Sequence, residues 1–511
     1  MVCAPVAAGT VAEVIEGMHK AKGEGADMVE IRLDCIRHFN PKQHLHSLLS
    51  NKPLPVLILY RPVWEGDNLA GDVECQLETL CLARELGADY VEFDLKIAYD
   101  FLAKEDQKKW CGSSKLILSC YLESIISSNE ALNEVVSRMQ STKADILKVV
   151  TEANDITELP KLFHVLSHCQ VPMIAYSIGE RGLISQLLGP KFGSVLIYGS
   201  IEGKPVPGLP TIDHLRQAYR IEDINAYTKV FGLISKPVGH SKGPLLHNPT
   251  FKHMGYNGIY VPMFVDDLNK FFRAYSSPDI PGFSVGIPYK EAVVNFCDEV
   301  HPLAQSIGAV NTVVRRPSDG KLIGFNTDCE ASITAIEDVL TLKVNGRNNG
   351  ETFHPSPLSG KLFVLVGAGG AGRALAFGAK TKGARIMIYD IDFGRAKALA
   401  EAVSGEARPF EHLPFFKPER GAILANATPI GMHPNTDRIP VEKETLGDYR
   451  VVFDAVYNPR KTSLLKAAEA AGAICVSGVE MFLRQAMAQF NLFTGHKAPE
   501  EFMREIVMAK F

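Results

Sequence analysis

The chain is predicted to be an α/β protein: an N-terminal (β/α)8 TIM barrel followed by a two-lobed α/β domain that includes a Rossmann nucleotide lobe. Three observations predict it. Short apolar, β-rich runs recur through the first part of the sequence, spaced about 25 to 30 residues apart with helical patterns between them. The apolar run Val364-Leu365-Val366 enters the glycine-rich turn Gly367-Ala368-Gly369-Gly370-Ala371-Gly372. At 511 residues the chain is also too long for a single hydrophobic core.

The barrel strands are read over 2–7, 28–33, 55–60, 90–95, 116–120, 146–150, 172–177 and 195–198, with helices such as 76–86 between them. Eight strands in this arrangement put the chemistry at the strand C-terminal ends. Those ends carry Glu30, Arg32, Arg61, Asp94, Lys148 and, in the loop after strand seven, Arg181. A lysine inside an apolar strand is costly unless paired or used, and burial is expected to depress it towards the free amine that an imine requires. Arginines around it suit a carboxylate substrate.

Glu30-Ile31-Arg32-Leu33-Asp34, Tyr60-Arg61-Pro62 with Trp64-Glu65-Gly66, Lys148, and Gly179-Glu180-Arg181-Gly182 together resemble a type I 3-dehydroquinate dehydratase over about residues 1 to 220. The resemblance implies that Lys148 forms the imine and that Arg32, Arg61 and Arg181 contact substrate. Two departures stand out. Tyr121 occupies the position of the family's catalytic histidine, and the loop Lys204-Pro205-Val206-Pro207-Gly208-Leu209 lacks the serine and glutamine of the family's closing loop. A phenol titrating near pH ~10 is a poor proton shuttle at neutral pH. Losing a positioned acid/base costs about 100- to 10,000-fold, so dehydratase activity is expected to be absent or residual.

A hinge is expected between a helix ending near Tyr219 and a strand over 229–234. Beyond it lie Ser235-Lys236-Pro237-Val238-Gly239-His240-Ser241-Lys242-Gly243, Gly286-Ile287-Pro288-Tyr289-Lys290, Ala309-Val310-Asn311-Thr312 and Asn326-Thr327-Asp328, then Asn426-Ala427-Thr428-Pro429, Tyr457-Asn458-Pro459 and Gln485. In series with the glycine turn these resemble shikimate dehydrogenase. The order of the two halves is that of the plant bifunctional dehydroquinate dehydratase–shikimate dehydrogenase family.

By that resemblance Lys290 and Asp328 form the catalytic dyad, with Ser241, Gly243, Gly286, Asn311, Thr327, Tyr457 and Gln485 around the substrate. An amine steadied by a carboxylate suits proton transfer at an alcohol that is losing hydride. Gly243 and Gly286 replace a serine and a threonine of the family pattern. Their loss opens space and removes hydroxyl donors at the carboxylate end, which argues for quinate, whose carboxylate sits on an sp³ carbon, with weaker shikimate activity.

The glycine turn is a dinucleotide signature with the context that supports it: a helix over 373–382 follows, and a strand over 385–389 completes the βαβ unit. Gly367 suits the tight turn, Gly369 the approach of the pyrophosphate, and Gly372 close helix–strand packing, with Gly370 beside them. Asn426 and Thr428 are expected at the same cofactor. Asp390 stands where a ribose 2′-hydroxyl is bound, and the arginine that relatives use for a 2′-phosphate is absent from Asp390-Ile391-Asp392. NAD is therefore expected and NADP disfavoured.

Lys plus Arg total 54 against 58 Asp plus Glu, a formal charge of −4 that draws the chain towards neither nucleic acid nor an acidic membrane. The ten cysteines show no CxxC or Cys/His ligand spacing, so no disulfides and no metal site are expected. With no membrane-length apolar run and no signal peptide, a cytoplasmic protein is expected, or a plastid one if a transit peptide has been trimmed.

The expected domains are the dehydratase-like barrel at 1–222, a substrate lobe at 228–340 completed by 481–511, and the nucleotide lobe at 359–480, with a mobile loop over 342–359. The leading functional reading is quinate oxidation to 3-dehydroquinate beside an inactive barrel. A working bifunctional enzyme of the shikimate pathway is the alternative, and a barrel kept as a scaffold or ligand-binding module is a third reading.

Overall fold

The computed structural model describes residues 1–50, 52–60, 73–96, 113–122, 129–204, 206, 208–239, 241–341 and 356–510. Two units result, one of Met1–Lys229 with Asn257–Asp279, the other of Val230–Tyr256 with Ile280–Phe511.

The first unit is the expected barrel. Its strands are β1 (Val2–Val6), β2 (Met28–Arg32), β3 (Val56–Leu59), β4 (Tyr90–Asp94), β5 (Lys115–Leu122), β6 (Ile146–Glu152), β7 (Met173–Ile178) and β8 (Ile197–Tyr198). They lie side by side in chain order with β8 beside β1. At the remaining gap Met173 bridges Ser194, and Val195 N–H donates to Met173 O (3.0 Å). Cys3, Met28, Leu57, Ile117, Ile146 and Ile174 fill one layer of the interior. Because side chains repeat every second residue on a strand face, the next inward layer after Met28, Tyr90 and Ile146 is Glu30, Glu92 and Lys148. That parity puts three charges at the centre of the barrel.

This unit also takes β10 (Gly258–Phe264) and the helix Leu268–Ala274, which the sequence assigns to the substrate lobe. Tyr275 is buried and donates its hydroxyl to Ile156 O (2.7 Å), while Asp279 neutralises Lys191 (3.1 Å) and Lys229 (2.7 Å). The Lys191 side chain is 3% exposed and needs that countercharge.

In the second unit β9 (Lys229–Ser235), β11 (Gly282–Val285), β13 (Thr312–Arg315), β14 (Leu322–Phe325) and β12 (Glu299–Val300) run side by side in that order. The helix Gly478–Thr494 joins this sheet: Ser284 Oγ donates to Gln489 Oε1 (2.8 Å) and Gln489 Nε2 donates to Asn311 O (3.2 Å). The nucleotide lobe is a six-stranded parallel sheet of β15 (Leu362–Val366), β16 (Arg385–Asp390), β17 (Glu406–Pro409), β18 (Ala422–Asn426), β19 (Tyr449–Asp454) and β20 (Ile474–Ser477), ordered β17-β16-β15-β18-β19-β20. Val364 and Val366 face one apolar layer while Phe363 and Leu365 face the other, as a sheet covered on both sides requires. The strand order reverses between β15 and β18, where such sheets bind nucleotides.

The helix after β15 begins at Gly370, earlier than the expected Arg373. The first N–H groups of a helix need no intrahelical partner, so the glycines can form its first turn. Of the loop expected over 342–359, residues 342–355 lie outside the described residues.

Candidate active site

Asp328 opens the helix Asp328–Thr341, where the exposed N–H ends of the peptide dipoles favour a carboxylate. The Asn326 side chain receives the N–H groups of Asp328 and Cys329 (3.1 Å each) and anchors itself by donating to Ala309 O (2.9 Å). Lys290 Nζ reaches Asp328 Oδ2 at 2.5 Å. The Asp328 side chain is 4% exposed and that of Lys290 19%, so the carboxylate is enclosed while the amine can meet a ligand. The sequence marks both residues. Asn326, which positions Asp328, it marks only as part of the motif.

Asn311 and Thr327 hold each other: Asn311 Nδ2 donates to Thr327 Oγ1 (2.8 Å), and Asn311 Oδ1 accepts from Thr327 N–H (2.9 Å) and Thr312 Oγ1 (2.9 Å). Thr327 Oγ1 also donates to Gln485 O (3.3 Å), and Gln485 Nε2 donates to Phe482 O (3.0 Å). The Phe482 ring lies 4.6 Å from that of Tyr457. Burial pushes the Tyr457 hydroxyl up to about 12, so it stays a donor at neutral pH. Asn311, Thr327, Gln485 and Tyr457, all expected at the substrate, thus form one connected network that adjoins the dyad at Thr327-Asp328.

Ser241 and Gly243 form a local turn, with Ser241 Oγ accepting the N–H of Gly243, the first residue of the helix Gly243–His253. His240 lies outside the described residues. Gly286 departs from expectation. A Cβ placed there would stand 2.8 Å from Ser235 Oγ and 3.0 Å from Ser235 Cβ. The space expected from the missing threonine is filled by a neighbouring serine.

In the glycine turn Gly367 has φ +103°, and a Cβ there would approach Ala427 and Thr428 to about 3 Å. On Gly372 a Cβ would fall 1.9 Å from Gly367 O, which excludes any side chain. At Gly369 the added atom would meet only Arg395 Nη2, at 3.9 Å, leaving the backbone open to a diphosphate at the helix N-terminus. These features fit a nicotinamide dinucleotide. Gly370 has a different constraint: a Cβ there would lie 2.7 Å from Lys290 Cβ. Asn426 is fully buried, donating to Asp454 Oδ1 (2.9 Å) and accepting from Thr428 N–H (3.0 Å) and Thr428 Oγ1 (2.7 Å), so it shapes the strand end beside the turn.

In the barrel Lys148 is 1% exposed and paired with both Glu30 (2.9 Å) and Glu92 (2.8 Å). Tyr198 OH donates to Glu30 (2.7 Å) and Tyr121 OH to Glu92 (2.9 Å). Burial opposes the charge on Lys148, but Glu30 and Glu92 outweigh it and hold the ammonium well above the ordinary lysine value. The expected depression towards the amine is therefore corrected. Arg32 is paired with Asp34, Nε lying 3.2 Å from both carboxylate oxygens. Arg181 grips Asp266 with two bonds (2.6 and 3.0 Å) over the Phe264 ring. Arg61 lies outside the described residues. The sequence does not mark Glu92, Tyr198 or Asp266; strand parity from Tyr90 is the one signal that points to Glu92.

Among the described residues no group of three or more His, Cys, Asp or Glu side chains is placed to hold a metal ion, and no helix is long and apolar enough to cross a membrane.

The type I 3-dehydroquinase model matches residues 2–226, the shikimate dehydrogenase substrate-binding domain matches 233–313, and the shikimate 5'-dehydrogenase C-terminal domain matches 478–508. The chain is 48% identical to the bifunctional 3-dehydroquinate dehydratase/shikimate dehydrogenase, chloroplastic, of Arabidopsis thaliana, over 100% of this chain and 84% of that protein. It is 40% identical to the shikimate dehydrogenase (NADP(+)) of Methanopyrus kandleri, over 56% of this chain and 97% of that one. A solved shikimate dehydrogenase in complex with NADP+ is 35% identical, covering 56% of this chain and 97% of that chain at a TM-score of 0.48.

The expectation of NAD with NADP disfavoured is overturned by these relatives, several of which bear NADP(+) in their names. The geometry supplies the reason the sequence misleads. Both oxygens of Asp390 are engaged by backbone, Oδ2 by Ala368 N–H (2.6 Å) and Oδ1 by Asp392 N–H (2.8 Å). Asp392 in turn caps the helix Phe393–Val403 through Gly394 and Arg395 N–H (3.0 and 3.2 Å). Asp390, which reads as a ribose site, has a local structural role, as does Asp392, and Arg395, paired with Glu291, brings a guanidinium beside Gly369.

Proposed function

This chain belongs to the bifunctional 3-dehydroquinate dehydratase/shikimate dehydrogenase family, and from that premise we propose that its second unit reversibly oxidises a hydroxylated cyclohexane carboxylate to the 3-keto acid. The observation that carries this is the Lys290–Asp328 pair against the glycine turn. A bound nicotinamide dinucleotide supplies the hydride acceptor, and NADP(+), the form in the relatives' names, is the one proposed here. Lys290 accepts or relays the proton of the carbinol oxygen, and Asp328 fixes Lys290 by charge and by one short hydrogen bond. The network of Asn311, Thr327, Gln485 and Tyr457 shapes the rest of the site around the acid.

Quinate is the proposed acid, with shikimate turned over at the same site. Support comes from donor chemistry rather than free volume: position 243 offers no hydroxyl, and the one near position 286 belongs to Ser235 and faces the backbone. A second reading, a working dehydratase in the barrel, draws on the full-length similarity to the Arabidopsis enzyme and the retained Lys148. For the compartment, the chloroplastic designation of that relative favours a plastid over the cytoplasm.

Initial rates with quinate and shikimate, each with NAD+ and NADP+, test the dehydrogenase, and Lys290→Met should lower kcat by about 100- to 10,000-fold. Unchanged turnover in that variant would remove the assigned role of Lys290.

A further inference from the structure

We propose that Ser235 is a positioning and specificity residue of the dehydrogenase, acting with Gly286 as one steric unit that holds the turn leading to Lys290; this rests on the dehydrogenase site assigned above. Ser235 ends β9, next to the end of β11, where Ile234 pairs with Val285 and Gly286 N–H donates to Ile234 O (2.8 Å). Its residue is 6% exposed. Its hydroxyl donates to Ile287 O at 2.8 Å, and the same carbonyl accepts Lys236 N–H at 3.0 Å. Two donors from one strand end therefore clamp a carbonyl three residues before Lys290.

The rest of the turn is equally tied. Tyr289 N–H donates to Gly286 O (2.9 Å), and Val310 N–H donates to Lys290 O (2.7 Å). Ile287, between these anchors, is 60% exposed, so the turn lies at an open surface and depends on backbone bonds rather than on burial. Loss of the Ser235 hydroxyl would release one of the two bonds to Ile287 and loosen the placement of Lys290, whose productive range in proton transfer is narrow.

The same hydroxyl decides what position 286 can carry. A Cβ added at 286 would meet Ser235 Oγ at 2.8 Å, Ser235 Cβ at 3.0 Å and Leu233 Cδ1 at 3.4 Å, so a threonine at 286 and a serine at 235 exclude each other in this geometry. Gly286 is thus half of an exchange. The hydroxyl that a residue on the turn would present to the acid is replaced by one that comes from β9 and faces the peptide.

The test is a four-protein comparison of the full chain: wild type, Ser235→Gly, Gly286→Thr and the double variant, each with shikimate and quinate and with unfolding temperatures measured. Gly286→Thr alone is expected to lose about tenfold or more in kcat/KM for both acids, as overpacking of a tight site does. The double variant should recover most of that loss and raise the shikimate-to-quinate ratio above wild type. Ser235→Gly alone should lower kcat more than it raises KM, a split that a merely structural change would not produce. A Gly286→Thr protein that fails to fold beside a folded double variant also supports the coupling. Single effects that simply multiply in the double variant, or a Gly286→Thr enzyme as active as wild type, would overturn the proposal. Absence of quinate turnover in all four would count against quinate as substrate alone, because the coupling is read with shikimate as well.

Discussion

Arg181, which the sequence marks as a carboxylate contact of the barrel, is already held by a carboxylate of the chain itself: Asp266 meets Nε and Nη2 in a two-point grip. A substrate carboxylate would have to displace it. Both side chains are partly exposed, at 35% and 22%, so the pair is worth at most about 1 kcal/mol and the competition is correspondingly modest. Asp266→Asn should therefore strengthen 3-dehydroquinate binding at the barrel by about fivefold. Hydrogen exchange in the peptides after β7, followed while the ligand is titrated into wild type and variant, reads the barrel separately from the other unit. Equal midpoints in the two proteins would show that Asp266 does not compete.

Gly370 and Lys290 share the other close contact of consequence. Alanine suits the first turn of a helix better than glycine does, which offsets part of the overpacking against Lys290, so Gly370→Ala should lower the unfolding temperature only modestly. Its new methyl would nevertheless stand 2.7 Å from Lys290 Cβ, well inside contact distance. Displacing a catalytic group by about 1 Å can cost about 100-fold, and kcat is expected to fall by about 10- to 100-fold. Full activity in a normally folded Gly370→Ala enzyme would mean that Lys290 is free to move without cost.

How much of the fold and the site is legible in the sequence follows from the range of the interactions. The eight barrel strands and the βαβ unit around Gly367 announce themselves through local periodicity and turn chemistry, and Lys148, Lys290 and Asp328 stand out because each sits in a recognisable local motif. Counterions are different. Nothing near Arg181 in sequence points to Asp266, and nothing near Gly286 points to Ser235; both pairings exist only after distant segments have folded together. Asp390 shows the converse error, because an aspartate at a strand end satisfies a turn as readily as it binds a ribose, and sequence position alone cannot separate the two.

Asp454 provides a pH test of the nucleotide lobe. Burial raises its carboxyl to about 6, against the opposing bonds from Thr462, Val456 N–H and Asn426. The unfolded chain takes up that proton only near pH ~3.9, so between these values the folded state binds the extra proton. Stability should then fall as pH rises through this window and stay level above it, by at most about 3 kcal/mol. Asp454→Asn, which keeps the shape, should lack this component and gain on the wild type between about pH 5 and pH 7. Parallel unfolding curves of the two proteins across that range would assign the pH dependence elsewhere.

Lys148 decides whether the barrel retains imine chemistry. Imine formation starts from the neutral amine, and Glu30 and Glu92 hold the lysine charged beyond its ordinary pKa of about 10.4. At neutral pH the ammonium is then the dominant form. Tyr121, its phenol bonded to Glu92, adds no base suited to neutral pH. Borohydride reduction in the presence of 3-dehydroquinate should therefore leave Lys148 essentially unmodified at neutral pH in peptide mass analysis, with labelling rising only in strongly alkaline solution. Glu92→Gln removes one of the two stabilising charges and should move that rise to lower pH. Stoichiometric labelling of wild-type Lys148 at neutral pH would instead show that substrate binding rearranges the Glu30–Lys148–Glu92 cluster, and the dehydratase reading would then take precedence for the barrel.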